Sequence, residues 1–297
     1  VVLPPVQLAA PLPGTPRTAP ALRPVRPPVR PPAPAAEAPR AVAAPQAEPV
    51  PEEVPADAAA ALPASAAAGP EGPVPTSADG VAPPVYPTRF PPPARLAYDI
   101  RRGALSGSGE LLWQHDGQTY ELTLTGTVFG IDVIGQVSRG GFDAAGLAPE
   151  RFVDRRRGRD RSAANFDRTA GRITFSGPGV SYPLLPGAQD RLSWMLQLPA
   201  IVEAEPARWV AGTRMGVFVA GSRGDGEVWA FAVQGAQAVE LPGGRVEDAL
   251  LITREPRRPY DTQVEIWLDP ARHHLPVRAR LTTLPGGDTL ELLLLQP

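Results

Sequence analysis

The stretch Gln263–Leu281, QVEIWLDPARHHLPVRARL, alternates apolar and polar residues on both sides of a proline-marked break. Val264, Ile266 and Leu268 hold one phase and Glu265 and Trp267 the other; the alternation stops at Asp269-Pro270 and resumes over Pro276–Leu281. Successive side chains of a strand point to opposite faces, so a period of two predicts an antiparallel hairpin with one buried face. Val264, Ile266 and Leu268 are expected to face a core opposite Val277, Ala279 and Leu281. Arg278 and Arg280 then face outward, with Trp267 partly covered by a neighbouring strand.

The same pattern recurs upstream. Leu96, Tyr98 and Ile100 alternate with Ala97, Asp99 and Arg101 and predict a first strand. Ser106-Gly107-Ser108-Gly109 reads as a small-residue bend. Glu110–Gln114 and Thr119–Thr127 flank His115-Asp116-Gly117-Gln118, and Asp-Gly between two alternating runs is a strong hairpin signal. Val128–Val137 reads as continued strand with bulges or bends at Gly130 and Gly135. Further strands are expected at Arg151–Arg157, Ser162–Phe166, Arg172–Ser176, Thr213–Ala220, Gly226–Gln234, Ala236–Leu241, Arg245–Thr253 and Asp288–Leu295. One helix interrupts them. Asp190 is placed to cap Arg191–Leu198, apolar residues on nearly every side predict burial, and Pro199 is expected to end or kink the helix. Roughly a dozen strands with one or two short helices predict a mainly β fold, a large curved antiparallel sheet or half-open barrel packed around the helix.

That pattern occupies only residues 95–297, which are expected to form a single domain. Of the chain's 40 prolines, 27 precede residue 95, in a segment dominated by Ala and Pro with Tyr86 and Phe90 as its only aromatics. Such a composition buries too little apolar surface to offset the entropy of ordering, so residues 1–94 are expected to form a disordered linker. Runs such as Pro24–Pro32 favour polyproline II, a semi-rigid spacer of about 3.1 Å per residue. A docking site for a proline-binding partner is the alternative use of such a segment.

Composition narrows the function classes. A formal net charge of −2 and a pI near 6.0 give no global electrostatic basis for nucleic-acid binding. Zero Cys excludes disulfides, zinc–thiolate sites and thiol catalysis. No run approaches the ~18 apolar residues of a membrane span, so any signal peptide or anchor is expected upstream of Val1.

Few residues carry recognisable chemistry. The three histidines are His115, His273 and His274; adjacent histidines on a strand diverge, and on a loop their directions are unconstrained, so a solvated loop is expected and no metal site is assigned. There is no G-x-S-x-G elbow and no H-E-x-x-H, and no carboxylate pair has a glycosidase signature, so no catalytic residue and no cofactor is assigned. The densest charge cluster is Arg151, Arg155, Arg156, Arg157, Arg159 and Arg161. Arg forks bind phosphate or carboxylate bidentately. Arg151, Arg155 and Arg157 share a face by parity if they lie on one strand, and with Arg159 they are the candidate contacts to an anionic partner. The alternative is a solvated strand end neutralised by Asp154 and Asp160. Trp194, Met195 and Leu198 of the apolar helix either complete the core or line a lipid-sized cavity.

Three stretches, AQDRLSWMLQL (Ala188–Leu198), RRRGRDRSAANFDRTAGRITFS (Arg155–Ser176) and VEIWLDPARHHLPVRARL (Val264–Leu281), resemble the DUF3108 family of exported bacterial proteins, a domain of unknown function. The resemblance covers about residues 95–297 and implies a periplasmic or envelope location, with no established catalytic residues to transfer. A curved sheet around apolar helices is also similar in architecture to periplasmic lipoprotein carriers. The Pro-rich arm is similar to the periplasm-crossing linker of energy-transducing proteins of the TonB kind, although no TonB C-terminal motif is present. The expected function is therefore non-catalytic: a periplasmic protein, tethered to the inner membrane from upstream of residue 1, that binds a lipid or an anionic envelope polymer. The alternative is an envelope protein that docks a protein partner through its sheet or its arm; a hydrolase is third.

Overall fold

The computed structural model describes residues 82–258 and 261–296. The arm up to residue 81 lies outside the described residues. Residues 82–93, assigned to the arm on composition, are extended and lie against the β structure. The Gly216 N–H donates to the buried Tyr86 hydroxyl at 2.9 Å, and the Arg89 N–H donates to the Ala200 carbonyl at 2.9 Å. Composition misassigned these residues because two aromatics, Tyr86 and Phe90, suffice to anchor an otherwise Pro-rich stretch.

Fifteen strands form one sheet. The first seven are β1 (Ala94–Arg102), β2 (Leu105–His115), β3 (Thr119–Val128), β4 (Ile131–Asp143), β5 (Gly146–Arg156), β6 (Arg159–Asp167) and β7 (Arg172–Phe175). Two short pairings, β8 (Tyr182–Pro183) and β9 (Gln189–Asp190), lead into helix α1 (Trp194–Ala204). After it come β10 (Arg214–Ala220), β11 (Gly226–Leu241), β12 (Gly244–Arg254), β13 (Thr262–Asp269), β14 (Leu275–Thr283) and β15 (Asp288–Leu294). Each of β1–β8 pairs antiparallel with its neighbour in sequence, as do β10–β15; β1 also pairs with β15, and β9 lies parallel to β10. The two edges of the sheet approach each other. Ser162 and Ser222 share a 2.8 Å hydrogen bond, and the Tyr182 hydroxyl donates to the Gly224 carbonyl at 3.2 Å. The result is the curved, barrel-like sheet expected from the alternation.

Hairpin connectivity sorts the turns between two ends. The tips Gly103–Ala104, Phe129–Gly130, Arg157–Gly158 and Leu284–Gly287 gather at one end. At the other end, residues 86–91 cover the opening: the Trp113 indole N–H donates to the Pro91 carbonyl at 3.0 Å, and Phe90 packs on Trp113 and Phe142. One end is therefore closed by the pre-strand segment. The other carries the hairpin tips.

Several local expectations change. Ser106–Gly109 is not a bend but the start of β2, and Gly109 pairs with Gly126 of β3 on the inner face. A Cβ on Gly109 would lie 2.1 Å from Ile100 Cδ1, and one on Gly126 would lie 2.5 Å from the same atom. The glycines are small because Ile100 lies across them, and alternation is silent about a residue with no side chain. Val128–Val137 is split by the tight turn Phe129–Gly130, with positive φ at both residues (51° and 74°). Gln234 and Ala236 belong to one strand, with a register shift at Gly235. The hairpin 263–281 forms as expected: Ile266 pairs with Ala279 on the buried face, and Trp267 is covered on the outer face by the Arg278 guanidinium, 4.6 Å from its ring.

The helix begins at Trp194 rather than Arg191 and runs through Pro199 to Ala204. Residues Trp194–Val202 are all buried, so packing on every side outweighs the hydrogen bond that a proline removes. Gln197, itself buried, ties the helix to the β4–β5 turn, accepting from the Leu147 N–H at 2.9 Å and donating to the Ala145 carbonyl at 2.7 Å. Asp190 does accept backbone hydrogen bonds at the helix entrance, from the N–H groups of Leu192 and Ser193, both at 2.8 Å.

Candidate functional site

Inner-face side chains of the sheet and the first turn of α1 enclose a cavity of about 530 Å³ that opens at the hairpin-tip end. Parity supplies its wall: Ile100 from β1, Leu124 from β3, Ile134 from β4, and Leu290 and Leu292 from β15. Met195 of α1 contributes from the helix side, so the helix fills the closed half of the barrel and leaves the other half open. Such a wall desolvates an apolar chain at about 25 cal/mol per Å² of buried surface.

The rim is charged. Arg102, Arg156 and Arg191 reach it, with Asp154 and Asp288 between them. Arg102 is ion-paired with Asp288, which holds the Asp288 carboxyl below the usual carboxylate range, and Arg191 is paired with Asp225 at 2.5 Å. Arg156 is exposed and has no ion pair among the described residues. Its guanidinium is thus available to an anion at the mouth.

A buried cationic cluster backs the rim. Trp229 lies between two guanidinium groups, Arg191 at 4.7 Å and Arg254 at 4.4 Å from its ring. The Arg254 side chain is fully buried, 2.8 Å from both Glu227 and Asp261. Burial pushes the Arg254 guanidinium below its ordinary value, opposed by those carboxylates. Burial would raise Asp261, but hydrogen bonds from the Arg257 N–H, the Arg254 guanidinium and the Thr262 N–H outweigh it and hold the group low. The cluster fixes the orientation of Trp229, which forms part of the cavity wall.

Of the seven residues singled out from sequence, Met195 lines the cavity. Trp194 packs in the core, its ring 5.6 Å from that of Phe231, and Leu198 is fully buried there. Arg151 and Arg155 do share a face, but it is the outer one: Arg151 bonds Asn165, and Arg155 pairs with Asp160 at 2.8 Å. Arg157 lies in the turn after β5, and Arg159 opens β6. The Arg of this cluster that faces the cavity is Arg156. Phe152 and Val153 are both apolar and both buried, so alternation alone leaves the phase of β5 undetermined.

The histidines lie at the closed end. His274 is not solvated as expected but buried, its Nδ1 2.6 Å from Glu203 Oε2; His273 Nδ1 is 3.5 Å from Oε1 of the same carboxylate. Burial would raise the Glu203 carboxyl, but the hydrogen bonds from both histidines prevail and hold it below its ordinary value. His115 Nε2 is 3.1 Å from the Pro91 carbonyl. Among the described residues no group of three or more His, Asp or Glu has the arrangement of a metal site, and no helix is long and apolar enough to cross a membrane.

Residues 97–293 match the family model described as protein of unknown function, DUF3108. No curated protein matches the chain. Among solved structures, a beta-barrel-like protein of domain of unknown function DUF1849 from Brucella abortus is similar at 14% identity, over 72% of this chain and 98% of its own, with a TM-score of 0.45. MucB is similar at 13% identity, over 68% of this chain and 51% of its own, with a TM-score of 0.24.

Proposed function

The chain belongs to the DUF3108 family, and we propose that within it this protein is a non-catalytic binding protein of the cell envelope. It holds an amphipathic ligand with an apolar tail in the barrel and an anionic head at the rim. The observation that carries this reading is the half-filled barrel: about 530 Å³ of largely apolar-walled space ends at Arg156, a cation without an ion pair among the described residues. That volume lies within the roughly 300–1,000 Å³ of small-molecule sites. A periplasmic location, with the Pro-rich arm as spacer, belongs to the same proposal, and the composition of residues 1–81 supports the spacer.

Titration of the full chain with a fluorescent long-chain fatty acid tests the reading, together with native mass spectrometry of lipid co-purified with the protein. Saturable uptake is expected. Ile134→Trp, which fills the cavity, should abolish it. Arg156→Gln should weaken the anionic probe by roughly tenfold while sparing its uncharged alcohol analogue. Absence of uptake, or uptake undiminished by Ile134→Trp, would remove the basis for a ligand carrier.

A further inference from the structure

Two adjacent hairpin tips at the open end carry side chains that folding does not call for. Both are two-residue turns with positive φ at each central residue: Phe129–Gly130 at 51° and 74°, and Arg157–Gly158 at 50° and 71°. This is the geometry of a type I′ turn, whose first position favours Asn or Asp. Phe129 instead places an aromatic ring there, 82% exposed. Ile131, just past the same turn, is 56% exposed, and Leu105, beside the β1–β2 tip, is 49% exposed. Among the described residues, three of the five large hydrophobics at least 49% exposed sit on these neighbouring tips. Successive tips are two strands apart, so about 10 Å separates one from the next along the rim.

Charge accompanies the apolar tips. Arg156, Arg157, Arg159 and Arg161 are all exposed at the β5–β6 hairpin, and none has an ion pair among the described residues. The carboxylates nearby are fewer: Asp160 is taken by Arg155, Asp154 lies 3.7 Å from Arg223, and Asp132 is exposed beside Ile131. Apolar tips flanked by unneutralised guanidinium groups match the two layers of an anionic bilayer surface, acyl boundary and phosphate. The same rim surrounds the mouth of the cavity.

We propose that the open end of the barrel docks on an anionic lipid bilayer, with Phe129 and Ile131 entering the interface and Arg156, Arg157, Arg159 and Arg161 facing head-group phosphates. Docking in this orientation brings the cavity mouth against the membrane. It does not depend on the cavity holding a ligand.

Flotation of the full chain with vesicles of phosphatidylcholine, with and without phosphatidylglycerol, tests the proposal. Binding to the anionic vesicles is expected, with loss at high salt and little binding to neutral ones. Phe129→Asn suits the turn better than Phe and so stays folded; it should weaken vesicle binding by roughly tenfold. Each Arg→Gln change at 156, 157, 159 or 161 should weaken it by about fivefold. Equal binding of Phe129→Asn and wild type, equal binding to neutral and anionic vesicles, or no flotation would each overturn the proposal. Fatty-acid uptake by Phe129→Asn should match wild type, which separates the two readings. Flotation without uptake sinks the carrier alone, and uptake without flotation sinks the docking alone.

Discussion

The Ser138 hydroxyl on β4 donates a 2.5 Å hydrogen bond to Asp190 Oδ2 at the entrance to α1, joining sheet and helix through a buried carboxylate. Tyr120 completes the chain, its hydroxyl 2.9 Å from Ser138 Oγ. Burial pushes the Asp190 carboxyl up to about 6, partly opposed by hydrogen bonds from Ser138, Ser193 and Leu192.

A raised carboxylate contributes stability that is present below its unfolded value and lost as pH rises through its folded one. Unfolding free energy should therefore fall between about pH 4 and pH 7 by on the order of 3 kcal/mol from this group. Asp190→Asn keeps the backbone-accepting oxygen and removes the titration. The difference between wild type and Asp190→Asn, measured by urea unfolding across that range, should carry the slope. A pH-independent difference would show that Asp190 does not titrate there.

Gly109→Ala should destabilise the barrel by about 2 kcal/mol, because its Cβ meets Ile100 Cδ1 and the Thr125 carbonyl oxygen 2.9 Å away. In an Ile100→Ala background the first clash is gone and the second remains. A double-mutant cycle should then give a favourable coupling of about 1 kcal/mol. No coupling would mean that Ile100 does not lie over Gly109.

Arg254→Met leaves the buried Asp261 without its cation and Glu227 with Arg258 alone, and the loss should be about 3 kcal/mol. Adding Glu227→Gln and Asp261→Asn should restore part of it, read as the midpoint of thermal unfolding. Trp229 fluorescence should shift in the single variant, since one guanidinium leaves its ring.

Phe129→Asn should raise stability by roughly 1 kcal/mol through relief of an unfavourable left-handed backbone, seen as a higher urea midpoint at unchanged slope. Wild-type Phe129 would then be a residue retained against the preference of its own turn.

The strand pattern, the all-round apolar helix and the hairpin 263–281 were legible because burial of one sheet face imposes a period of two that needs no distant information. Proline content assigned residues 82–93 to the arm, but they pack against the sheet, since their order depends on partners such as Gly216 and Ala200 far along the chain. The cavity was not legible. Whether the inside of a curved sheet is filled depends on how far one helix reaches, and α1 stops short of the tips. Nor could sequence choose Arg156 over Arg155, because two adjacent buried residues, Phe152 and Val153, erase the phase of the strand. Alternation along a chain is a local property set by backbone geometry. Which residues meet at a rim is decided by sheet curvature and register, which sum pairings from the whole length of the domain.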